Sequence, residues 1–521
     1  METAIKNMFK RNRIQIIYSI IFTFIWGLVT HGYMFLNNSI SHDSLIEFYF
    51  TEDVIGHRFG LGRIFVPLYR TVVRGMVTLP WLGGLVSLLF ISISVFLITK
   101  IFNINSKLNI ALVSGIFTAN ITVISLIETY MHDLECDILA MLMAVIAVYL
   151  WNRYKFGFLF GILPLSLAIG LYQSYISTAI TLVMIVCIVC LLQGESAKKV
   201  FTIGIKAVAM IIGAGIMYFI FLRIEVAITG IELYSGGYNS VTTFFTMSFK
   251  EIVAFTVSTY KDTVLMLINP ISVYSNEKIN LAMHGIIMGV CILAVFPQLF
   301  NKKIGILEKI MVVVLAFLLP IGMNISRILA AGISHDLMHF ALWLIYLLAL
   351  IIVIDCAKRS NIKNFAIKMA PRAIVSLVIF AVLWGNVRLA NMAYTAKDFE
   401  QDANLSFFTR VVSEIEERED YITGETPVAF IGKPNHLLAD IPQYEKLRRF
   451  TGGWYYVPGA STPQYYGPYF KYVLMNPAVF ASSAEIDELK ETSEVKNMPI
   501  YPANDSVKMI NGILVVKLGN Y

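Results

Sequence analysis

The stretch Ile176-Ser-Thr-Ala-Ile-Thr-Leu-Val-Met-Ile-Val-Cys-Ile-Val-Cys-Leu-Leu192 contains no charged residue, no glycine and no proline. With Ser174 and Tyr175 it forms one apolar run, and about 20 such residues cross the hydrocarbon core of a bilayer. Its pair Cys187/Cys190 has the spacing of a redox or metal motif, but small apolar residues facing lipid or protein explain it better. Comparable runs recur on both sides. The expected spans are roughly 14–36, 79–102, 108–129, 134–151, 156–172, 174–192, 200–222, 279–300, 306–325, 338–355 and 371–392. The first is too long for a cleavable signal and lacks a small-residue cleavage site, so it reads as a transmembrane helix. A polytopic, mainly α membrane protein of about eleven helices follows.

Composition agrees. Of 521 residues 57% are hydrophobic and only 15% charged, and mean hydropathy is +0.69. Soluble domains carry roughly 25% charged residues. Net charge is +6, but the bases lie in short loops between apolar runs, which is a topology signal and gives no reason to expect nucleic acid. Lys6, Lys10, Arg11, Arg13, Lys100, Lys107, Arg153, Lys155, Lys198, Lys199, Lys302, Lys303 and Lys309 all fall on one side of an eleven-span chain. So does the last basic group, Lys358 to Arg372. That side is the cytoplasm. An odd number of spans then puts the C-terminal region outside the cell membrane.

Two outer loops are long, 37–78 and 223–278, and segment 240–268 has the pattern of one or two helices lying in the membrane interface. Beyond about residue 395 the chain turns polar, dividing a membrane domain (1–395) from a small α/β domain (396–521). There, 397–420 reads as a helix, Thr426–Gly432 and Gly512–Leu518 as strands, and the Gly-, Pro- and Tyr-rich 452–470 as irregular. All five cysteines lie in or beside apolar runs, so no disulfide framework holds the outer domain.

All eight histidines fall at outer positions in this topology, and His-Asp occurs three times: His42-Asp43, His132-Asp133 and His335-Asp336. Ionisable groups near membrane depth are costly and commonly line a cavity. Asp43, immediately after the first span, is placed either to take a proton from an attacking sugar hydroxyl or to cap the helix starting near Ser44. If 63–75 is helical, Arg63, Arg70 and Arg74 share one face within about 40°. With Arg58 they make a basic stripe suited to a lipid phosphate or to anionic headgroups. Gly56, Gly60 and Gly62 do not follow a strand and so do not form a nucleotide loop. Glu128, His132 and Asp133 can meet across a tight turn, where oxygen and imidazole ligands suit a divalent cation such as magnesium or manganese, although no defined metal motif is present. His335 and His339 are spaced i, i+4 for a helix. Tyr172-Gln173 suits stacking on, and hydrogen bonding to, a sugar; tyrosine also belongs to interfacial aromatic belts.

Taken in order, His42-Asp43 after span one, Gly62-Arg63 and Pro67 before span two, Tyr172-Gln173 after span five, and the closing Asn511-Gly-Ile-Leu-Val-Val-Lys-Leu518 resemble a known family. It is the membrane glucosyltransferases related to the O-antigen serotype-converting glucosyl transferase II group, with GT-C architecture. The resemblance implies inverting sugar transfer from a polyprenyl-phosphate donor to a cell-surface polysaccharide or lipid-linked glycan, at the outer face of a bacterial membrane, with or without a metal. It implies Asp43 as base and Arg58, Arg63 and Arg70 as donor-phosphate ligands. The acceptor or sugar would meet His42, Glu128, His132, Asp133, Tyr172, Gln173, His335 and Asp336. Asp43, Glu128 and Asp133 are the candidate metal ligands. Relatives often pair acids in the first outer loop; here histidine precedes Asp43. The competing reading is a transporter of lipid-linked sugars, but no internal repeat is visible and the acids sit at outer ends, not at the bilayer midplane.

Overall fold

The structure is a computed structural model. It describes residues 2–37, 40–41, 45, 53–235, 240, 242–268, 277–299, 304–359, 362–432, 434 and 463–521. Among these, eight helices are long and apolar enough to cross a membrane, and the bent pair Lys107–Thr118 and Ile121–Thr129 (43°) makes a ninth if it is one span. Two shorter apolar helices, Gly157–Leu171 and Leu281–Phe296, occupy two further expected segments.

The chain divides into two compact units. The first comprises Met1–Leu36, Glu52–Ile127 and Asp133–Ala390; the second Asn37–Thr51, Glu128–His132 and Asn391–Tyr521. In the first, the most apolar windows of Leu134–Arg153, Gln173–Leu192 and Phe340–Arg359 are 72–78% buried, whereas those of Ala197–Thr229 and Ile306–Met323 are only 28% buried. Ile205, Val208, Ile212, Ile216, Ile220, Ile224 and Ile228 run exposed down one face of Ala197–Thr229. No soluble protein leaves such a stripe to water, so lipid covers it. The inner helices approach closely where side chains are small. In Pro80–Ile101, a Cβ on Gly84 would lie 2.5 Å from the Phe35 ring, and one on Gly83 would lie 3.0 Å from the Glu135 carboxylate.

The long loop 223–278, expected to lie outside, contains two helices among its described residues, Thr243–Thr246 and Phe249–Ile268. Loop 37–78, expected on the same side, contains two more, Asp53–Gly60 and Phe65–Val73. The helix expected over 63–75 therefore starts two residues later and leaves Arg63 before its first turn.

The second unit is an α/β domain around a four-stranded sheet, order β2-β1-β4-β3. Strand β1 (Pro427–Ile431) pairs in parallel with β2 (Val479–Phe480) and β4 (Ile513–Lys517), and β3 (Val507–Ile510) is antiparallel to β4. Asn511 and Gly512 join the hairpin, both at positive φ (51° and 79°), as a two-residue turn between twisted strands requires. Both faces of the sheet are covered, which is why β4 is buried along its whole length. One face packs on Phe407, Phe408, Val411 and Ile415 together with Tyr466, Tyr469 and Phe470. The other packs on Ile486, Leu489 and Val495. The buried Lys517 amine donates to the carbonyls of Val495, Lys496 and Met498 at 2.8–3.0 Å, ending the short helix Ser493–Asn497.

The polar segment 397–420 is helical as far as Glu416, as expected, and continues the 52-residue Phe365–Glu416, because backbone hydrogen bonding is indifferent to the change in side-chain polarity. One expectation changes here. Of the segment expected to be irregular, 463–472 is helical: Pro463 occupies a helix start and Tyr466, Tyr469 and Phe470 gain burial against the sheet. Residues 452–462 lie outside the described residues.

Candidate functional site

His42 and Asp43 lie outside the described residues. Their described neighbours belong to the second unit: Ser41 is buried and its hydroxyl donates to the Thr129 carbonyl, the Ile40 amide donates to Gln401 Oε1 at 3.1 Å, and Leu45 joins the aromatic core. In the same unit Glu128 is buried and its carbonyl accepts from the buried Lys397 amine. His132 is buried and meets Tyr130 edge-on, with centroids 6.0 Å apart.

The most concentrated charge lies in the first unit. Arg58 stands in the last turn of Asp53–Gly60, and the chain then reverses through Leu61 and Gly62, the latter at φ 71°. That turn is held by two side chains from distant helices. Gln173 Nε2 donates to the Leu61 carbonyl at 3.0 Å and the Tyr218 hydroxyl to the Gly62 carbonyl at 2.9 Å. The turn so fixed aims three guanidinium groups at one carboxylate. Arg58 and Arg63 reach Asp133 Oδ2 at 2.8 and 3.0 Å, and Arg70 reaches Oδ1 at 2.6 Å. Arg63 also lies over the Tyr172 ring, 4.5 Å from its centroid. Arg74, one turn beyond Arg70, pairs with Glu135. Asp137, one turn after Asp133, is buried; its Oδ1 has no hydrogen-bond partner among the described residues, and it feels the charges of Arg63, Arg58 and Arg70.

Thus the expected basic stripe is not a surface feature. Arg70 is 1% exposed and only Arg63 keeps appreciable access, at 16%. The acids that bury it come from 133–137, which sequence spacing alone does not bring to 58–74. Asp133, expected at the acceptor or at a metal, pairs with Arg58, Arg63 and Arg70, and three guanidinium groups oppose a cation at its oxygens. Among the described residues no group of three His, Cys, Asp or Glu could hold a metal ion. Four residues escaped the sequence reading as parts of this centre: Arg74's partner Glu135, Asp137, Gly83 and Tyr218. The available signal was the run Asp133-Leu-Glu135-Cys-Asp137 at the mouth of an apolar helix, since acids there need partners.

A second polar group surrounds Asp336. His335 and His339 are not on an α-helix: the chain forms a 3-10 turn, Asp336–Met338, and the i, i+4 alignment is lost. His339 Nε2 instead meets Ser334 Oγ at 3.0 Å, and its Nδ1 lies 4.0 Å from Asp336 Oδ1. Half-buried His335 accepts the Met338 amide at its carbonyl. Burial pushes the Asp336 carboxyl up to about 6. Burial, helped by Arg327 and His335, pushes His339 down to about 4 and keeps it neutral.

Compared with known proteins, residues 32–383 match the family described as Glucosyl transferase GtrII. No curated protein and no solved structure matches the chain.

Proposed function

Because the chain belongs to the GtrII glucosyl transferase family, we propose that it transfers glucose or a related hexose from a polyprenyl-phosphate donor to a cell-surface polysaccharide or its lipid-linked precursor. In this reading the chain spans a bacterial cell membrane eleven times, with the N-terminus in the cytoplasm and the sheet domain outside.

The observation that carries the donor assignment is the convergence of Arg58, Arg63 and Arg70 on Asp133 beside Tyr172. A guanidinium offers about five N–H donors and a carboxylate about four acceptor sites. A phosphate presents acceptor oxygens in the bidentate geometry that guanidinium groups match. Placement on a turn clamped by Gln173 and Tyr218 means that the donors need not be gathered when the ligand arrives.

The acceptor oxygen attacks the anomeric carbon as the carbon–oxygen bond to phosphate breaks, and the bonding pair leaves on the polyprenyl phosphate. The donor diester carries one negative charge and the departing monoester up to about two at neutral pH. Preorganised guanidinium groups therefore bind the leaving group more strongly as the bond breaks, which lowers the barrier. Asp43 takes the acceptor's proton, and Arg63, the most accessible of the three arginines, is the first contact of the phosphate.

The test is release of polyprenyl phosphate from polyprenyl-phosphate glucose by the purified protein in nanodiscs, with an extracted cell-surface glycan as acceptor. Acceptor-dependent release is expected from the wild type, with a loss of 100-fold or more in Asp43→Asn (general base catalysis contributes about 10²–10⁴-fold). Undiminished release by Asp43→Asn removes that residue as the base. A chelator arm decides whether a divalent cation takes part.

A further inference from the structure

Away from the arginine cluster, one end of the first unit collects basic and amide side chains. The Lys100 amine donates to Asn12 Oδ1 at 2.9 Å, and Gln15 Nε2 donates to Asn105 Oδ1 at 2.8 Å. Beside them Arg372 Nη2 donates to Ser106 Oγ and to Asn109 Oδ1, both at 3.2 Å. Both partners are neutral. Among the described residues Arg372 has no carboxylate within ion-pair distance, and its other N–H groups make no hydrogen bond. These bonds tie the helix Phe365–Glu416 to Lys107–Thr118. The same two helices meet again at Gly115, where a Cβ would lie 2.5 Å from Leu383. Between the two contacts is an open-sided cavity of about 430 Å³. Leu108, Leu112, Leu377 and Phe380 wall it, and all of these but Leu112 are also exposed at the surface. Its polar groups are Arg372 and Ser376, and no acid lines it.

The wall suits hydrocarbon. From Arg372 to Phe380 is about 12 Å of helix, roughly the depth of one leaflet's hydrocarbon, since the whole core is about 30 Å thick. The polar end selects the head. Arg372 is already oriented by Ser106 and Asn109, its remaining donors are unused, and a guanidinium matches phosphate oxygens bidentately. Lys368, one turn earlier on the same face of the helix, adds a second positive charge. Lys107 is turned away, over the Tyr18 ring at 4.9 Å. A net positive end favours a headgroup whose phosphate charge is not cancelled by a choline or an amine. Ser376 lies one turn deeper than Arg372, is 7% exposed, and its hydroxyl has no hydrogen-bond partner among the described residues. The glycerol esters of a phospholipid carry acceptor oxygens at about that step, 5–6 Å, below the phosphate. We propose that this cavity binds an anionic glycerophospholipid, with its phosphate on Arg372, its glycerol esters at Ser376 and one acyl chain against Leu112 and Phe380. In the orientation proposed above this end of the unit faces the cytoplasm. The site then draws its lipid from the inner leaflet, across the membrane from the transfer chemistry.

The test uses no transfer reaction, so it stands or falls separately from the glucosyl-transfer reading. The full chain is placed in phosphatidylcholine nanodiscs containing a small fraction of phosphatidylglycerol with a diazirine in one acyl chain. After irradiation, labelled peptides are identified by mass spectrometry. Saturable labelling within 108–112 and 373–380 is expected, displaced by unlabelled phosphatidylglycerol and not by added phosphatidylcholine. Arg372→Gln keeps a donor for Asn109 but loses the charge, and should reduce labelling about five-fold, the loss of one base's attraction for an anionic lipid. Ala373→Trp lies at an exposed position of the lining, so it fills the cavity with Arg372 in place. It should abolish labelling of 376–380, and it decides the matter if the arginine variant does not fold. Equal labelling by a diazirine phosphatidylcholine, or labelling unchanged in Arg372→Gln or in Ala373→Trp, overturns the proposal. So does displacement by polyprenyl phosphate as readily as by phosphatidylglycerol, which would give the cavity to the donor lipid.

Discussion

Two buried polar centres in the same membrane unit have opposite electrical character. Around Asp133, guanidinium groups outnumber the carboxylate they share, and the helix that supplies the acid is among the most buried. Around Asp336 a single carboxylate faces the neutral His339, His284 and aromatic rings. Burial penalises charge in both places, yet the outcomes differ because one centre supplies its own counterions and the other does not. The first therefore retains its charges and suits an anion. The second moves toward protonation.

Removing Asp133 tests that contrast at its strongest point. Asp133→Ala leaves Arg58, Arg63 and Arg70 without the carboxylate they share, and breaking a buried pair costs about 3–5 kcal/mol. Loss of folded protein, or a much lower thermal midpoint in nanodiscs, is expected; an unchanged midpoint would mean that the cluster is not a buried counterion system.

A milder change probes geometry. Arg63→Lys keeps the charge but loses both the planar fork and the stacking on Tyr172, so donor affinity should fall about ten-fold with little change in stability. Equal donor affinity would assign Arg63 to structure alone.

The Asp336 centre should reveal itself through pH. Burial pushes its carboxyl up from the usual carboxylate range, near 4, to about 6. Its contribution is thus fully present below about pH 4 and lost as pH rises through 6, on the order of 3 kcal/mol in all. The thermal midpoint of the wild type should fall relative to Asp336→Asn between pH 4 and 7; parallel profiles would contradict the burial argument. The smallest effect completes the comparison. Asp336→Asn should leave polyprenyl-phosphate affinity within about two-fold of wild type, and a larger loss would merge the two centres into one.

Much of the membrane architecture was legible because about 20 apolar residues in a row have few alternatives. Strands β1 and β4 were legible as short apolar runs, whereas β2 is two residues long and exists only through its pairing with Pro427 and Val428. Helix 463–472 was hidden by Pro468 and Gly467, since local propensity yields when aromatic side chains gain a core. In the site, the arginine spacing was readable but its partner was not: Arg58 and Asp133 are far apart in sequence, and only helix packing brings them together. The histidine pair failed for the opposite reason, because a helical spacing was read where the chain makes a 3-10 turn. Asp137 and Tyr218 carried no motif and became visible only through what they touch.

The central claim is that the arginine cluster receives the donor's phosphate. Its most direct test compares polyprenyl phosphate with polyprenol, which has the same chain and no phosphate, for binding to the wild type and to Arg63→Ala in nanodiscs. The account predicts that the wild type prefers the phosphate by at least ten-fold, that added salt weakens this preference, and that Arg63→Ala reduces it while leaving polyprenol binding unchanged. Equal binding of the two lipids by the wild type, or a preference that survives in Arg63→Ala, would contradict it.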